Sequence, residues 1–421
     1  MMNLNERCKP FAEYIVQAKA CGFYPYFRPI SQSWGTEVLV DGRRLVMIGS
    51  NDYLGLAHDP RVLEAASGAL ARWGTGPGGS RFLCGNMAVH EALEERLADF
   101  VGMRKAIVHT TGFTTNVGAI GCLLGRDDLI LCDRENHSSI FEGCRASGAR
   151  VVPFRHNDAA DAARRLRRAL DRESRGCALL ITEGVFSMSG DAVNLPDFLE
   201  LKREFPSLLV YLDDAHGLGV MGPRGRGTAA RFEATDRVDF IMGTFSKALA
   251  SVGGFIASDD EAVLEFVRHH SKPLIFSAAL PAGAVAAVQA SLDVLESEPE
   301  RVDRLRANTE RVKKGFRDIG LRVSDSETPI VPIHIGSEMT AYHFSQDLFR
   351  HGVFALPAVY PAVPRGGAVI RTAYMSTHEN RHIDFVLEVI EKLARKHGVV
   401  GTGLRPDESL DEAAGLATAV C

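Results

Sequence analysis

The sequence predicts an α/β fold: a mostly parallel sheet with helices on both faces, followed by a smaller α+β unit. Three observations lead there. Between residues 88 and 257, short apolar runs of strand character alternate with helical stretches. Two of those runs, Leu208-Leu209-Val210-Tyr211-Leu212 and Val238-Asp239-Phe240-Ile241-Met242, are followed by a carboxylate, an imidazole, a hydroxyl and an amine, where open parallel sheets collect their ligands. Beyond about residue 280 the alternation gives way to two long helices and a mixed segment.

In chain order, residues 5 to 21 read as a helix. Gly22 to Ile30 form an aromatic arm whose prolines rule out a regular helix, so it lies over something, either a partner subunit or a substrate. Residues 37 to 47 read as a hairpin turning at Asp41-Gly42. A polar loop, Ser50 to Leu56, precedes a helix from about Pro60 to Trp73. The run Gly74-Thr75-Gly76-Pro77-Gly78-Gly79 imitates a dinucleotide fingerprint but follows a helix, where the fingerprint must follow a strand. It reads instead as backbone shaped around a ligand or a subunit interface. Helices are then predicted at 88–101, 114–124, 138–147, 159–172 and 195–204, and strands at 105–109, 128–132, 150–154, 178–182, 208–212, 239–243 and 253–257. A helix from Ala284 to Glu296 leads through Ser297-Glu298-Pro299-Glu300 into a second one, and an α+β unit continues to about 398. This divides the chain into an N-terminal helix, arm and hairpin (1–58), a large domain (59–290), a small C-terminal domain (291–398) and a loosely held tail (399–421).

Composition narrows the class. At 421 residues the chain has length for one large and one smaller domain, and 46% hydrophobic with 24% charged residues is ordinary for a soluble protein. A net charge of -5 with interspersed charges gives no footprint for nucleic acid. The N-terminus lacks the apolar core of a signal peptide and no run of 18 apolar residues occurs. A cytoplasmic location without a transmembrane segment is expected, with peripheral membrane contact left open. The eight cysteines form no Cys-x-x-Cys pair, so they read as reduced thiols and no metal site is expected.

The chemistry lies at the strand ends. Pyridoxal phosphate catalysis needs an amine for a Schiff base and a carboxylate against the pyridine nitrogen, and Lys247 and Asp213 fit those needs. The segment His109 to Thr114 opens an apolar helix, and Gly112 permits close approach to free N–H groups there, which makes either a phosphate seat or an ordinary helix cap. Thr244, three residues before Lys247, adds a hydroxyl for the same phosphate. His137 follows the next strand and suits stacking on an aromatic ring, while Ser187 is suited to donating to a phenolic oxygen or to steadying its own turn. Each residue alone has a plain structural explanation. Together, on several strand ends, they make coincidence the minor reading.

The set Ser50-Asn51-Asp52-Tyr53-Leu54-Gly55-Leu56, Gly79-Ser80-Arg81, Asn136-His137-Ser138-Ser139-Ile140, Glu183-Gly184-Val185-Phe186-Ser187-Met188, Asp213-Asp214-Ala215-His216-Gly217 and Gly243-Thr244-Phe245-Ser246-Lys247 resembles the α-oxoamine synthases over residues 10 to 395. The resemblance implies the fold-type I architecture of pyridoxal phosphate enzymes, with a seven-stranded sheet. It implies that Lys247 carries the cofactor as a Schiff base, Asp213 pairs with the pyridinium nitrogen and His137 stacks on the ring. His216 and Ser187 then lie near the phenolic oxygen, Thr111, Gly112, Phe113 and Thr244 around the phosphate, and Asn51, Ser80 and Arg371 on the substrate side. The implied reaction is decarboxylative condensation of an amino acid with an acyl thioester, carried by CoA or an acyl carrier protein, to an α-amino ketone, in a homodimer. Within the family the arm at 22 to 30 is most similar to bacterial serine palmitoyltransferases, which favours L-serine or L-alanine. 8-Amino-7-oxononanoate synthase and glycine C-acetyltransferase are the alternatives inside the family, and an aminotransferase is the alternative outside it.

Overall fold

The computed structural model describes residues 3–170 and 176–400. The expected tail therefore lies, beyond its first two residues, outside the described residues. The chain begins with α1 (Leu4–Ala20), capped by Asn3, and the strands β1 (Ile30–Ser33), β2 (Glu37–Val40) and β3 (Arg43–Met47). Asp41 and Gly42 turn the β2–β3 hairpin with φ of 50° and 71°, the left-handed pair that a two-residue hairpin requires. Then come α2 (Pro60–Trp73), α3 (Ala88–Val101), β4 (Lys105–His109), α4 (Gly112–Leu123), β5 (Leu129–Asp133), α5 (Ser138–Ser147), β6 (Arg150–Phe154), α6 (Ala159–Leu170), β7 (Ala178–Glu183), α7 (Leu195–Glu204) and β8 (Leu208–Asp213). A short α8 (Thr228–Arg231) precedes β9 (Phe240–Thr244), β10 (Gly254–Ser258), α9 (Glu261–His270), α10 (Lys272–Phe276), α11 (Ala282–Ser297) and α12 (Glu300–Ile319). The C-terminal elements are β11 (Ile333–Gly336), α13 (Glu338–Arg350), β12 (Val353–Phe354), β13 (Leu356–Ala358), β14 (Ala368–Arg371) and α14 (Asn380–Lys396).

Seven strands form the central sheet in the order β4-β10-β9-β8-β7-β5-β6. β10 alone runs against its neighbours. The link from Thr244 to Gly254 is too short for a crossover, so β10 must return antiparallel. β5, β9 and β10 are buried along their whole length and alternate their side chains between two cores. Leu131, Leu180 and Leu212 face one core, and Ile130, Ile181 and Tyr211 face the other. A third core joins α12, α13 and α14 to β11 and β14.

Two features bear on the site. β3 pairs in parallel with β12, Val46 opposite Val353, so the N-terminal hairpin is built onto the C-terminal unit. The aromatic arm lies over α13 of its own chain: Phe23 meets His343 edge-on at 4.7 Å, and Arg28 sits 4.0 Å above the Phe349 ring. The Gly-rich run is open at Gly74, Gly76 and Gly78 and packs tightly only at its end, where the Gly79 carbonyl accepts from Ala279 N and a Cβ on Gly85 would lie 2.1 Å from that carbonyl oxygen. Among the described residues no helix is long and apolar enough to cross a membrane.

Candidate active site

Strand register assembles the site. β7 and β8 pair with Glu183 opposite Asp213, so both carboxylates emerge on one sheet edge, and the Asp214 N–H bonds to Met242 O of β9, from which Lys247 follows. Asp213 is buried, and one carboxylate oxygen accepts from Asn116 Nδ2 at 2.7 Å while the other accepts from Ala215 N. Asn116 projects from α4 and is itself held on both sides: its carbonyl accepts from Tyr211 Oη at 2.8 Å, and its amide also donates to Ser139 Oγ. A buried anion thus has a buried donor whose every polar atom is occupied.

Lys247 lies at the floor of a cavity of about 1170 Å³, with Asn51, His137, Ser187, His216 and Arg371 on its inner wall. Burial pushes the Lys247 amine down to about 8, against the opposing pull of Asp213 and Glu183, with Arg371 adding to the depression. Burial also drives His216 well below the usual imidazole range, helped by the cations Lys247 and Arg371. Tyr53 Oη lies 2.6 Å from His216 Nδ1 and 3.4 Å from the Arg371 Nη2 that donates to it. Tyr53 Oη also donates to Asn51 Oδ1 at 3.2 Å, so one buried hydroxyl ties Asn51, His216 and Arg371 together on the cavity wall. Glu183, fully buried and next to Asp213, is pushed far above the usual carboxylate range and accepts from the His137 backbone N–H. Arg371 donates from Nε to Ser187 O at 3.1 Å, leaving guanidinium N–H groups toward the cavity it lines.

The start of α4 forms one rim. Thr111 caps the helix by accepting from Thr114 N, and the first helical bond runs from Thr115 N to Thr111 O, so the N–H groups of Gly112 and Phe113 precede the helical ladder. A Cβ on Gly112 would sit 2.7 Å from Thr244 Oγ1, which brings the two predicted phosphate neighbours together. Phe113 meets the His137 ring edge-on at 6.3 Å. Ser80 is apart from this group: it is buried in the loop after α2, its Oγ has no partner, and it does not line the cavity.

Of the residues singled out from the sequence, Asn51, His137, Ser187, His216, Lys247 and Arg371 line one cavity, while Asp213, Thr111, Gly112, Phe113 and Thr244 do not line it, Gly112 lying against Thr244 and Phe113 against His137. Sequence reasoning missed Tyr53, Asn116 and Glu183. Asn116 left a signal, since a lone amide in the apolar helix Gly112–Leu123 has to find a buried partner.

A buried amine depressed by desolvation, a fully bonded carboxylate, an imidazole at the wall, and a helix start too tight for any residue but glycine beside a hydroxyl suit pyridoxal phosphate: an aldehyde, a basic ring nitrogen, an aromatic face and a dianion. Comparison with known proteins agrees. Residues 43–390 match the model of the aminotransferase class I and II family. The chain is 43% identical over 393 residues to a serine palmitoyltransferase of Sphingobacterium spiritivorum, covering 93% of this chain and 96% of the relative. It is 38% identical over 388 residues to an 8-amino-7-oxononanoate synthase of Thermoanaerobacter pseudethanolicus, covering 92% and 97%. The solved serine palmitoyltransferase of Sphingomonas wittichii superposes with a TM-score of 0.90 at 31% identity, over 95% of this chain and all of that one. The chain belongs to the aminotransferase class I and II family, and within it is a pyridoxal phosphate-dependent acyltransferase of the α-oxoamine synthase group.

Proposed function

We propose that the chain condenses L-serine with a long-chain acyl thioester of CoA, releasing CoA and carbon dioxide and yielding an α-amino ketone; L-alanine is the second choice of amino acid. The observation that carries this reading is the polarity of the cavity. Its inner wall holds Asn51, His137, His216, Lys247 and Arg371. Its outer wall is Phe11, Tyr14 and Ile15 of α1 with Tyr24, Met339 and Tyr342, and among the described residues no charged side chain lines it there. An alkyl chain suits that wall. The product named by 8-amino-7-oxononanoate synthase ends in a carboxylate, which would find no cation in the outer cavity.

Pyridoxal phosphate, when bound, supplies the electron sink that lets the amino acid lose its Cα proton and later its carboxylate. Lys247 is the residue to hold the cofactor and, once displaced, to take the Cα proton, its amine brought by burial to a value where proton uptake and release are both accessible near neutrality. Asp213, held in place by the Asn116 amide, would pair with the pyridinium nitrogen. Thr111, Gly112, Phe113 and Thr244 surround the phosphate. His137 stacks on the ring, and His216 and Ser187 flank the phenolic oxygen. Arg371, with Asn51, receives the amino acid carboxylate, a task for which the planar guanidinium fork is suited. Phe82, Leu83, Phe113 and Phe276 are exposed, which favours a homodimer in which the loop bearing Ser80 contributes to the partner's site. We place the enzyme in the cytoplasm, in keeping with its free thiols.

The test follows CoA thiol release with serine, alanine and glycine against acetyl-CoA, long-chain acyl-CoA and a thioester ending in a carboxylate. The expected result is fastest release with serine and the long-chain thioester. Preference for acetyl-CoA or the carboxylate-ended thioester overturns the substrate reading. Amino-group transfer to a 2-oxo acid without CoA release overturns the condensation itself.

A further inference from the structure

Beyond the cavity, His156 occupies a position that no step of the reaction uses. It follows β6, and both ring nitrogens meet carboxylates: Nδ1 lies 3.1 Å from Asp133 Oδ1 and Nε2 lies 2.9 Å from Asp191 Oδ2. A third carboxylate, Glu135, stands 3.8 Å from Nε2, and the Phe186 ring meets the imidazole edge-on at 4.4 Å. Asp133 closes β5 and heads the loop that carries His137, accepting from Glu135 N with one oxygen and from Asn157 N with the other. Asp191 closes the loop after β7: its carbonyl accepts from Phe186 N, so the segment from Phe186 to Asp191 is a ring of backbone containing Ser187. The Ser187 carbonyl in turn receives Arg371 Nε, and Arg371 reaches Tyr53, which touches His216.

Two carboxylates aimed at two nitrogens of one ring require a donor at each nitrogen, which only the imidazolium provides. The three acids around it hold His156 up to about 10 against its partial burial.

We propose that His156 is a positioning residue, a charged clamp that fixes the loop carrying His137 to the loop carrying Ser187 and so sets where Arg371 presents its guanidinium to the substrate carboxylate. This rests on the roles of His137, Ser187 and Arg371 proposed above. The clamp lies on different elements from Lys247, Asp213 and the α4 helix start, so it reaches the cofactor only through His137 and Ser187 and reaches the amino acid through Arg371.

The experiment compares holoenzyme of the wild type with His156→Gln, His156→Gln/Asp191→Asn and Arg371→Lys, measuring the thermal midpoint, the pyridoxal phosphate Kd by fluorescence quenching, and the amino acid Kd by absorbance titration alongside kcat. His156→Gln leaves the buried Asp133 and the half-buried Asp191 carboxylates without the cation between them and lowers the thermal midpoint. The double variant relieves their repulsion and recovers most of the loss, and it stands in for the single variant should that one fail to fold. Expected in both is an amino acid Kd raised about tenfold, the effect of roughly one misplaced hydrogen-bonded contact, with a smaller rise in the cofactor Kd through His137 and Ser187. The proposal is overturned if the amino acid Kd of His156→Gln matches the wild type, or if it returns to the wild-type value in the double variant together with the thermal midpoint, the pattern of a merely structural residue. Arg371→Lys separates the layers. If it raises the amino acid Kd while His156→Gln does not, the clamp alone fails; if it has no effect, the carboxylate role of Arg371 fails and the clamp proposal with it.

Discussion

Asn116→Ala is the substitution whose consequences the structure sets out most fully. Deleting the side chain removes three contacts, the donation to Ser139 Oγ among them, and two of the losses dominate. Asp213 loses a charge-assisted bond of 2.7 Å, and Tyr211 Oη, fully buried, loses its acceptor at 2.8 Å. A hydrogen bond to a charged group contributes about 2 kcal/mol and a stranded buried hydroxyl costs about 2 kcal/mol, so the protein is destabilised by about 4 kcal/mol. With an unfolding entropy of about 2.1 cal/mol/K per residue over 421 residues, the thermal midpoint of the cofactor-free protein falls by about 4 °C. Asp213 also loses the bond that holds its carboxylate in place, so pairing with a pyridinium nitrogen weakens and the pyridoxal phosphate Kd is expected to rise about tenfold. Differential scanning fluorimetry and fluorescence quenching read the two effects separately. Adding Tyr211→Phe removes the stranded hydroxyl and returns about half of the lost stability, without returning cofactor affinity. A variant that melts as the wild type and holds its cofactor as tightly refutes the assignment of Asn116 as the support of Asp213.

Other substitutions test other contacts. Gly112→Ala places a methyl group 2.7 Å from Thr244 Oγ1, and the displacement it forces is expected to weaken cofactor binding more than it lowers the thermal midpoint, as read by the same two measurements. Asp213→Asn removes a charge that opposes the burial of Lys247, so the pH midpoint for reaction of the Lys247 amine in cofactor-free protein is expected to move below its starting value of about 8. Ile15→Asp puts a carboxylate on the outer cavity wall; because each buried methylene contributes about 0.8 kcal/mol, or about fourfold, kcat/KM is expected to fall for long acyl-CoA and to stay level for acetyl-CoA, flattening the chain-length profile. His156 has a folded value of about 10, above its unfolded one of about 6.5, so its contribution to stability is full below pH 6.5 and is lost as pH rises through 10. Denaturant unfolding of His156→Gln is therefore expected to lack part of the wild-type decline across that range.

What the amino-acid sequence discloses about this site, and what it hides, divides along a physical line. The groups that carry charge and reactivity are legible because they sit where a buried apolar run stops: Asp213 after Leu208 to Leu212, and Lys247 shortly after Phe240 to Thr244. The Asp41-Gly42 turn is legible because few residue pairs accept two positive φ angles. The reversal of β10 follows from a link too short to cross over, a constraint of length that reading strands one at a time does not apply. Contacts among buried polar groups are different in kind. Asn116 meets Asp213 across 97 positions of sequence, and His216 meets Tyr53 across 163. Those pairings depend on which strands neighbour one another and in what register. Glu183 lies opposite Asp213 because β7 and β8 align from Ala178 with Leu208 onward, and a slip of one residue would send the two carboxylates to opposite faces of the sheet. The same argument places His156, since Leu129 pairs with Arg150 on one side and with Ala178 on the other, which sets the loop after β5 between those after β6 and β7. A sequence thus exposes the chemistry a strand end can perform, while the supports that orient it are properties of the sheet and appear only once its order and register are known.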